Sequence, residues 1–68
     1  MKEYPYERKL KIYRRFGVVK EVDWEYISEK GRYGEVAYYH LLDEDDNTIN
    51  IFRSLAELRR DVDTIWAE

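Results

Sequence analysis

The sequence predicts an α+β fold in which a small antiparallel meander of three to four strands packs against one C-terminal helix. Three observations support this: apolar and acidic residues alternate over positions 22–26, polar turn segments occupy 30–34 and 43–47, and a helical apolar stripe follows Ser54. The 68 residues fit one domain, 1–68. It divides into a basic N-terminal segment (1–20), a β-meander (21–52) and an amphipathic helix (54–67).

The C-terminal helix has both a start signal and a predicted buried face. Ser54 and Glu57 form a capping box, in which the serine hydroxyl accepts the backbone N–H of Glu57 and the carboxylate reaches back to the cap. Apolar residues then recur at steps of three and four, namely Leu55, Leu58, Val62, Ile65 and Trp66. This spacing predicts one apolar stripe that packs on a flat surface.

The middle of the chain predicts three antiparallel strands. Residues 22–26 alternate in polarity, so one side of this strand is buried and the other is wet. Gly31 and Gly34 supply two positions for positive φ in the turn at 30–34, and residues 36–42 form the second strand. The acidic turn at 43–47 carries side chains that bond to nearby backbone groups. Residues 48–52 form a third strand that runs into the helix cap.

Residues 5–16 fit two structures. As a strand, the segment places its even-numbered apolar residues on one face, and Gly17 supplies a hairpin turn. These residues are Tyr4, Tyr6, Leu10, Ile12 and Phe16. As a helix, Pro5 takes the first position and Gly17 the position just after the end. We favour the strand narrowly, because residues 9–26 then form one long hairpin.

The central strand predicts a surface that one helix cannot cover. Both of its sides are largely apolar. One side carries Val36, Tyr38, His40 and Leu42, and the other carries Ala37, Tyr39 and Leu41. The helix covers one side, so the other needs the N-terminal segment, a second copy or a binding partner. Tyrosine is enriched at interfaces, and the chain has seven. The predicted partner-binding residues are Tyr13, Tyr33, Ala37, Tyr39 and Leu41, whereas Tyr26 and Tyr38 are assigned to sheet packing.

No residue pattern indicates catalysis. His40 is the only histidine and lies on an alternating strand, where a structural role is the more common one. None of the serine and threonine hydroxyls sits in a nucleophile motif, and no glycine-rich phosphate loop is present. We expect a non-enzymatic protein without a cofactor.

The acidic turn is the one candidate for a metal site. Asp43, Asp45 and Asn47 match the first, third and fifth positions of a calcium loop. Thr48 and Ser54 replace the glycine and the bidentate glutamate that such a loop requires. We therefore expect no metal here.

Charge is divided unevenly along the chain. Residues 1–20 carry seven cations and two acids, a net of +5, and the remaining five cations and thirteen acids give −8. A nucleic-acid site in the basic segment would use Lys9, Lys11, Arg14 and Arg15, although the acidic remainder opposes it. Conversely, Asp23, Glu25, Glu29 and residues 43–46 could imitate spaced phosphates, which makes the chain a candidate nucleic-acid mimic for a DNA-handling protein.

The order of elements carries one fold-level resemblance. Three strands and a helix over residues 22–66, joined through Ile51, Phe52, Arg53 and Ser54, resemble the arm-site DNA-binding domains of phage-type integrases and a class of plant DNA-binding domains. No base-reading residue carries over, because the sheet face that those families use for DNA carries Asp23 and Glu25 here.

The favoured function is a small non-catalytic protein-binding module of inhibitor, adaptor or regulator type, working alone or as a homodimer. The absence of cysteine, of a long apolar run and of an apolar signal-peptide core predicts a cytoplasmic protein with no membrane contact. The partner's identity, the organism and pathway, the oligomeric state and the exposed sheet face stay open at this point.

Overall fold

A computed structural model describes residues 3–10 and 12–65 and confirms the predicted α+β class. Four antiparallel strands form one open sheet in the order β1-β2-β3-β4, and one helix follows them. The elements are β1 (Tyr6–Lys9), β2 (Gly17–Ile27), β3 (Arg32–Leu42), β4 (Thr48–Phe52) and α1 (Leu55–Ile65). The molecule is elongated, with principal extents of 42 × 24 × 16 Å.

Strands β2 and β3 form a hairpin that runs the length of the sheet. They pair without interruption from Gly17 opposite Leu42 to Ile27 opposite Arg32. The turn spans residues 28–31, where Gly31 has a φ of 65° and its N–H donates to the Ile27 carbonyl at 2.9 Å. The predicted turn at 30–34 was therefore placed too late, because Gly34 lies within β3.

Residues 6–9 form a strand and the described part of residues 5–16 contains no helix, so the helical alternative for this range is wrong. Residues 6–9 pair with residues 19–22 of β2. The chain reverses at Arg14, whose φ is 57°, rather than at Gly17, and Tyr13 and Phe16 exchange backbone hydrogen bonds across this turn. The shared face predicted for the even-numbered residues stops after Leu10, because Ile12 is 71% exposed instead of buried.

The helix begins as the capping residues predict. The Ser54 hydroxyl accepts the backbone N–H of Glu57 at 3.1 Å. Leu58 and Val62 are fully buried, whereas Ile65 is 65% exposed, so the apolar stripe ends one turn earlier than expected. Trp66, the last member of that stripe, lies outside the described residues.

The core lies at one end of the sheet. Its main cluster comes from the helix, from the residue just before β2 and from the nearby ends of β2 and β3, namely Phe16, Val18, Leu41, Leu58 and Val62. Val19, Val22 and Val36 are buried outside this cluster. We call this end, with residues 16–20, residues 39–42, β4 and α1, the helix-covered half. The other end, residues 23–27 and 32–36, we call the distal ribbon, because β1 pairs only up to Val22 and β4 only up to Tyr39. In the described part of the chain, no helix is long and apolar enough to cross a membrane.

Candidate interaction surface

Aromatic side chains collect on the part of the sheet that the helix leaves bare. Tyr6 lies opposite Val22, and Tyr26 lies opposite Tyr33. Since alternate residues of a strand share a face, these positions and Trp24 lie on the same side of the sheet as the core residue Val18. We define the aromatic surface as Tyr4, Tyr6, Trp24, Tyr26 and Tyr33.

Three rings of the aromatic surface are more than half exposed. The exposed fractions are 51% for Trp24, 56% for Tyr26 and 61% for Tyr33. The helix cannot shield them, because 11 residues of α-helix are about 16 Å long, whereas 11 residues of strand extend about 36 Å. Large exposed rings grouped on one face are unusual for a surface that only meets water.

The rings are held in place by one another. The ring centroid of Tyr4 lies 5.6 Å from that of Tyr6 and 5.6 Å from that of Trp24. Tyr26 and Tyr33 meet edge to face at 5.3 Å with an interplanar angle of 73°. These are favourable aromatic geometries, so the surface is largely ordered before any partner arrives.

A hydrogen bond ties the N-terminal segment to the distal ribbon. The Tyr4 hydroxyl donates to the Glu35 carboxylate, and this bond raises the pKa of Tyr4 to about 12. Glu35 lies opposite Trp24 on the aromatic side. The bond therefore fixes Tyr4 over a part of the sheet that β1 itself does not reach.

The opposite side of the sheet is acidic and internally paired. Glu21 contacts His40 through its Oε1 and the imidazole Nε2 at 2.7 Å. The Tyr38 hydroxyl donates to Glu25 at 2.8 Å, and this bond raises the pKa of Tyr38. The Arg53 guanidinium lies over the Tyr38 ring at 5.1 Å. This polar layer covers the Val36 side of the central strand, opposite to the side that the helix covers.

The two faces therefore differ sharply in charge. Glu7, Glu21, Asp23 and Glu25 share the acidic side by their register, and among the described strand residues Glu35 is the single acid on the aromatic side. Arg8 and Lys20 pair on the aromatic side, at the border of the aromatic surface. The Lys20 ammonium lies 5.9 Å from the Tyr39 ring centroid.

The predicted partner-binding residues are spread between the aromatic surface and the core. Tyr33 belongs to the aromatic surface, whereas Leu41 is fully buried beneath the helix. Ala37 is half-buried between the two, and Tyr39 packs against the core. Tyr13 also packs there, and its hydroxyl donates to Asp63 at 2.9 Å. The helix thus occupies the side of β3 that the sequence analysis considered for a partner.

Of the four residues of the nucleic-acid alternative, the described chain contains three, and these three do not lie on one strand. Lys9 ends β1, and Lys11 lies outside the described residues. The Arg14 Nε pairs with Asp63 at 2.9 Å, and the Arg15 guanidinium lies over the Phe16 ring at 5.7 Å. The turn at residues 13–16 lies between Lys9 and Arg15, so these two cations do not share one strand.

The acidic turn uses its first carboxylate to hold its own backbone. The Asp43 Oδ1 accepts the N–H groups of Asp45 and Asn47, each at 2.9 Å. These bonds, that from Asn47 foremost, lower the pKa of Asp43. Within residues 3–10 and 12–65, no group of three or more His, Cys, Asp or Glu side chains is arranged to hold a metal ion.

The sequence analysis missed most of the aromatic surface. It placed Trp24 on the buried side of β2 and assigned Tyr26 to sheet packing. The predicted lengths gave no sign of it, because strands over residues 22–26 and 36–42 span about 17 and 23 Å, close to the length of about 21 Å of a helix over residues 54–67. Comparison with known proteins adds nothing further: the chain matches no protein-family model, no curated protein and no solved structure significantly.

Proposed function

We propose that this chain is a small non-catalytic protein-binding module, of inhibitor, adaptor or regulator type, that docks on another protein through its aromatic surface. The observation that carries the proposal is the exposure of Trp24, Tyr26 and Tyr33 on one face of the distal ribbon. The absence of cysteine favours action in the cytoplasm.

Tryptophan and tyrosine, together with arginine, are enriched among the few residues that carry most of the binding energy in protein interfaces. They offer large contact areas and lose few rotamers on binding. Tyr4 and Trp24 already pack on each other, as do Tyr26 and Tyr33, so part of their ordering cost is met by folding. A partner that buries these rings gains the hydrophobic contribution with little further loss of freedom.

The charge distribution supports one orientation of docking. The strand acids lie mainly on the side opposite the rings, so the partner would not bury several unpaired carboxylates. Arg8 and Lys20 stand at the border of the aromatic surface, where rim charges guide association. We therefore expect the partner's contact to be apolar at its centre and acidic next to Arg8 and Lys20.

The test compares variants of the full chain as bait. Wild-type protein, Trp24→Ala and Tyr33→Ala would be used for affinity capture from a lysate of the source organism, and the captured protein would then be purified and its Kd measured. Loss of an anchor ring is expected to weaken binding by on the order of 30-fold. Ile12→Ala is the matched control, since Ile12 is an exposed apolar residue outside the aromatic surface.

Three results would contradict the proposal. One is a captured protein that binds both ring variants as tightly as the wild type. Another is light scattering that shows a wild-type homodimer and a monomer for Trp24→Ala, which would make the partner a second copy. The third is salt-dependent nucleic-acid binding that is lost on replacing Arg14 and Arg15 with alanine and kept in Trp24→Ala, which would favour the basic segment instead.

A further inference from the structure

The distal ribbon exposes the edges of two strands, and the two edges differ. In an antiparallel pair, backbone groups of alternate residues point to opposite sides of a strand. The Leu10 N–H donates to the Val18 carbonyl at 2.9 Å, which fixes this phase for β1 and β2. By the registers, the backbone N–H and C=O groups of Trp24 then point away from β3, and those of Tyr33, Glu35 and Ala37 point away from β2.

Two outward-pointing amides elsewhere in the sheet are already occupied by neighbouring side chains. The Trp24 N–H, beyond the end of β1, donates to the Asp23 Oδ1 at 2.8 Å. The Ile51 N–H, on the outer side of β4, donates to the Asn50 Oδ1 at 2.9 Å. The outer edge of β1 carries the charged residues Glu7 and Lys9. Amides that are already bonded and charged residues at the edge both discourage another strand from pairing.

At Tyr33 and Ala37, the outer edge of β3 has neither an amide bonded to a neighbouring side chain nor a charged residue. Strand β4 pairs with residues 39–42 alone, so no strand of the described chain lies beside residues 32–38 on that side. Among the described residues, no side chain accepts the N–H of Tyr33 or Ala37. This stretch of β3, which no described strand pairs with on that side, holds seven residues, about 23 Å of strand, and it stops where the pairing with β4 begins.

We propose that a partner protein adds an extended, antiparallel strand to this edge of β3, along residues 32–38. The inference rests on the proposed function, because it states how the bound protein engages the module. Main-chain hydrogen bonds to Tyr33 and Ala37 provide affinity, and alternate side chains of the added strand provide specificity. The strand continues the sheet in line with β4.

The two faces define the chemistry of the added strand. On the aromatic side its residues lie next to Tyr33, Glu35 and Ala37, which favours apolar or aromatic side chains beside Tyr33 and Ala37. On the acidic side they lie next to residues 32, 34, 36 and 38, of which Gly34 has no side chain and stands opposite Glu25. A Lys or Arg at that position reaches over Gly34 toward the Glu25 carboxylate. The partner segment therefore alternates apolar residues with at least one cation.

The probe for this inference is a display library of random linear decapeptides, selected on the full wild-type chain. Selected peptides should alternate in polarity and carry a cation, and in the complex they should slow hydrogen exchange at the amides of Tyr33 and Ala37. Ala37→Pro removes the outward N–H without touching the ladder to β2, a position where sheets tolerate proline. We expect it to weaken peptide binding at least about tenfold.

Ile51→Pro is the matched control, because its N–H also points outward but is already bonded to Asn50. It should leave peptide binding within about threefold of the wild type, and circular dichroism would verify that both variants fold. Peptides that bind without protecting Tyr33 and Ala37, and that depend on Trp24 but not on Ala37, would overturn strand addition while leaving the proposed function intact.

Two other outcomes also overturn the inference. A wild-type dimer whose Tyr33 and Ala37 amides are protected without any peptide would make the occupant a second copy. Selection that yields no binder would remove strand addition, and if the lysate capture also fails to enrich a partner that depends on Trp24, the proposed function falls with it.

Discussion

The helix-covered half and the distal ribbon are built from the same two strands, yet only the first contributes to the cluster of buried side chains beneath the helix. In the helix-covered half, Val18 and Leu41 are buried against Leu58 and Val62 of the helix. In the distal ribbon, the corresponding face carries exposed rings. A two-stranded ribbon is only marginally stable by itself. The comparison indicates that one half supplies the stability of the fold and the other is available for binding.

The largest expected effect is a substitution in the helix-covered half. Leu58→Ala removes a fully buried side chain and leaves a cavity, which costs about 2–5 kcal/mol of unfolding free energy. A core in a domain of this size provides only about 3–5 kcal/mol, so the variant should be largely unfolded. Urea denaturation followed by far-ultraviolet circular dichroism measures this loss. Trp24→Ala is the control in the distal ribbon, and an equal loss there would contradict the division into two halves.

A smaller effect is expected at the turn of the distal ribbon. Gly31 has a φ of 65°, and an alanine there costs about 1–2 kcal/mol through its backbone conformation, since a Cβ would meet no atom within 4 Å. Because the ribbon can open without disrupting the core, the global unfolding free energy should fall by less than this amount. Hydrogen exchange at Ile27 and Arg32 should accelerate more than exchange at Leu41. Gly31→Asn should be milder, because asparagine tolerates positive φ.

If Leu41 instead exchanges faster in step with Ile27 and Arg32, the ribbon and the core unfold as one unit. That result would break the comparison between the two halves, because the ribbon could not then rearrange independently during binding.

Much of the fold was predictable because its signals are local. Ser54 and Glu57 define the helix start, and residues 48–52 form the strand that their β-branched and aromatic composition predicts. The reversal at Arg14 was not predictable, because an arginine with positive φ is held there by the pairing of Tyr13 with Phe16.

The candidate site was harder to predict than the fold. Alternation shows that Leu41 and Tyr33 share a face, but not that the helix covers one and leaves the other exposed. That outcome depends on where along a long hairpin the helix returns, which is a tertiary property. The blocked edges are likewise invisible in the sequence, since Asp23 and Asn50 act through side-chain rotamers on their own strands.

The helix-covered half also has a pH-dependent contact. The Tyr13 hydroxyl and, secondarily, Arg14 bond to Asp63 and lower the pKa of this carboxyl below its ordinary value of 3.8. Since the folded-state pKa is depressed, the stabilisation is present above pH 3.8 and is lost as the pH falls through the folded-state value. The gap in urea midpoint between wild type and Asp63→Asn should therefore be present at pH 7 and shrink as the pH is lowered below 3.8.

Asp61→Asn on the same helix is the control for a general loss of negative charge. If the gap between wild type and Asp63→Asn stays constant between pH 7 and pH 2, the contact does not distinguish the charged from the neutral carboxyl. The effect should be modest, since both Arg14 and Asp63 are about half exposed and water screens their attraction.

The smallest expected effect lies in the distal ribbon, between Tyr26 and Tyr33. These rings face each other across the strands at 5.3 Å, a pairing worth about 0.2–1 kcal/mol relative to two alanines. A double-mutant cycle of Tyr26→Ala and Tyr33→Ala, read by urea denaturation, isolates that coupling from the separate cost of each ring. Because both rings are exposed, each single variant should also destabilise the fold far less than Leu58→Ala. A coupling above this range would mean that the rings stabilise the fold as core residues do. Binding would then no longer be needed to explain why the chain keeps them on its surface.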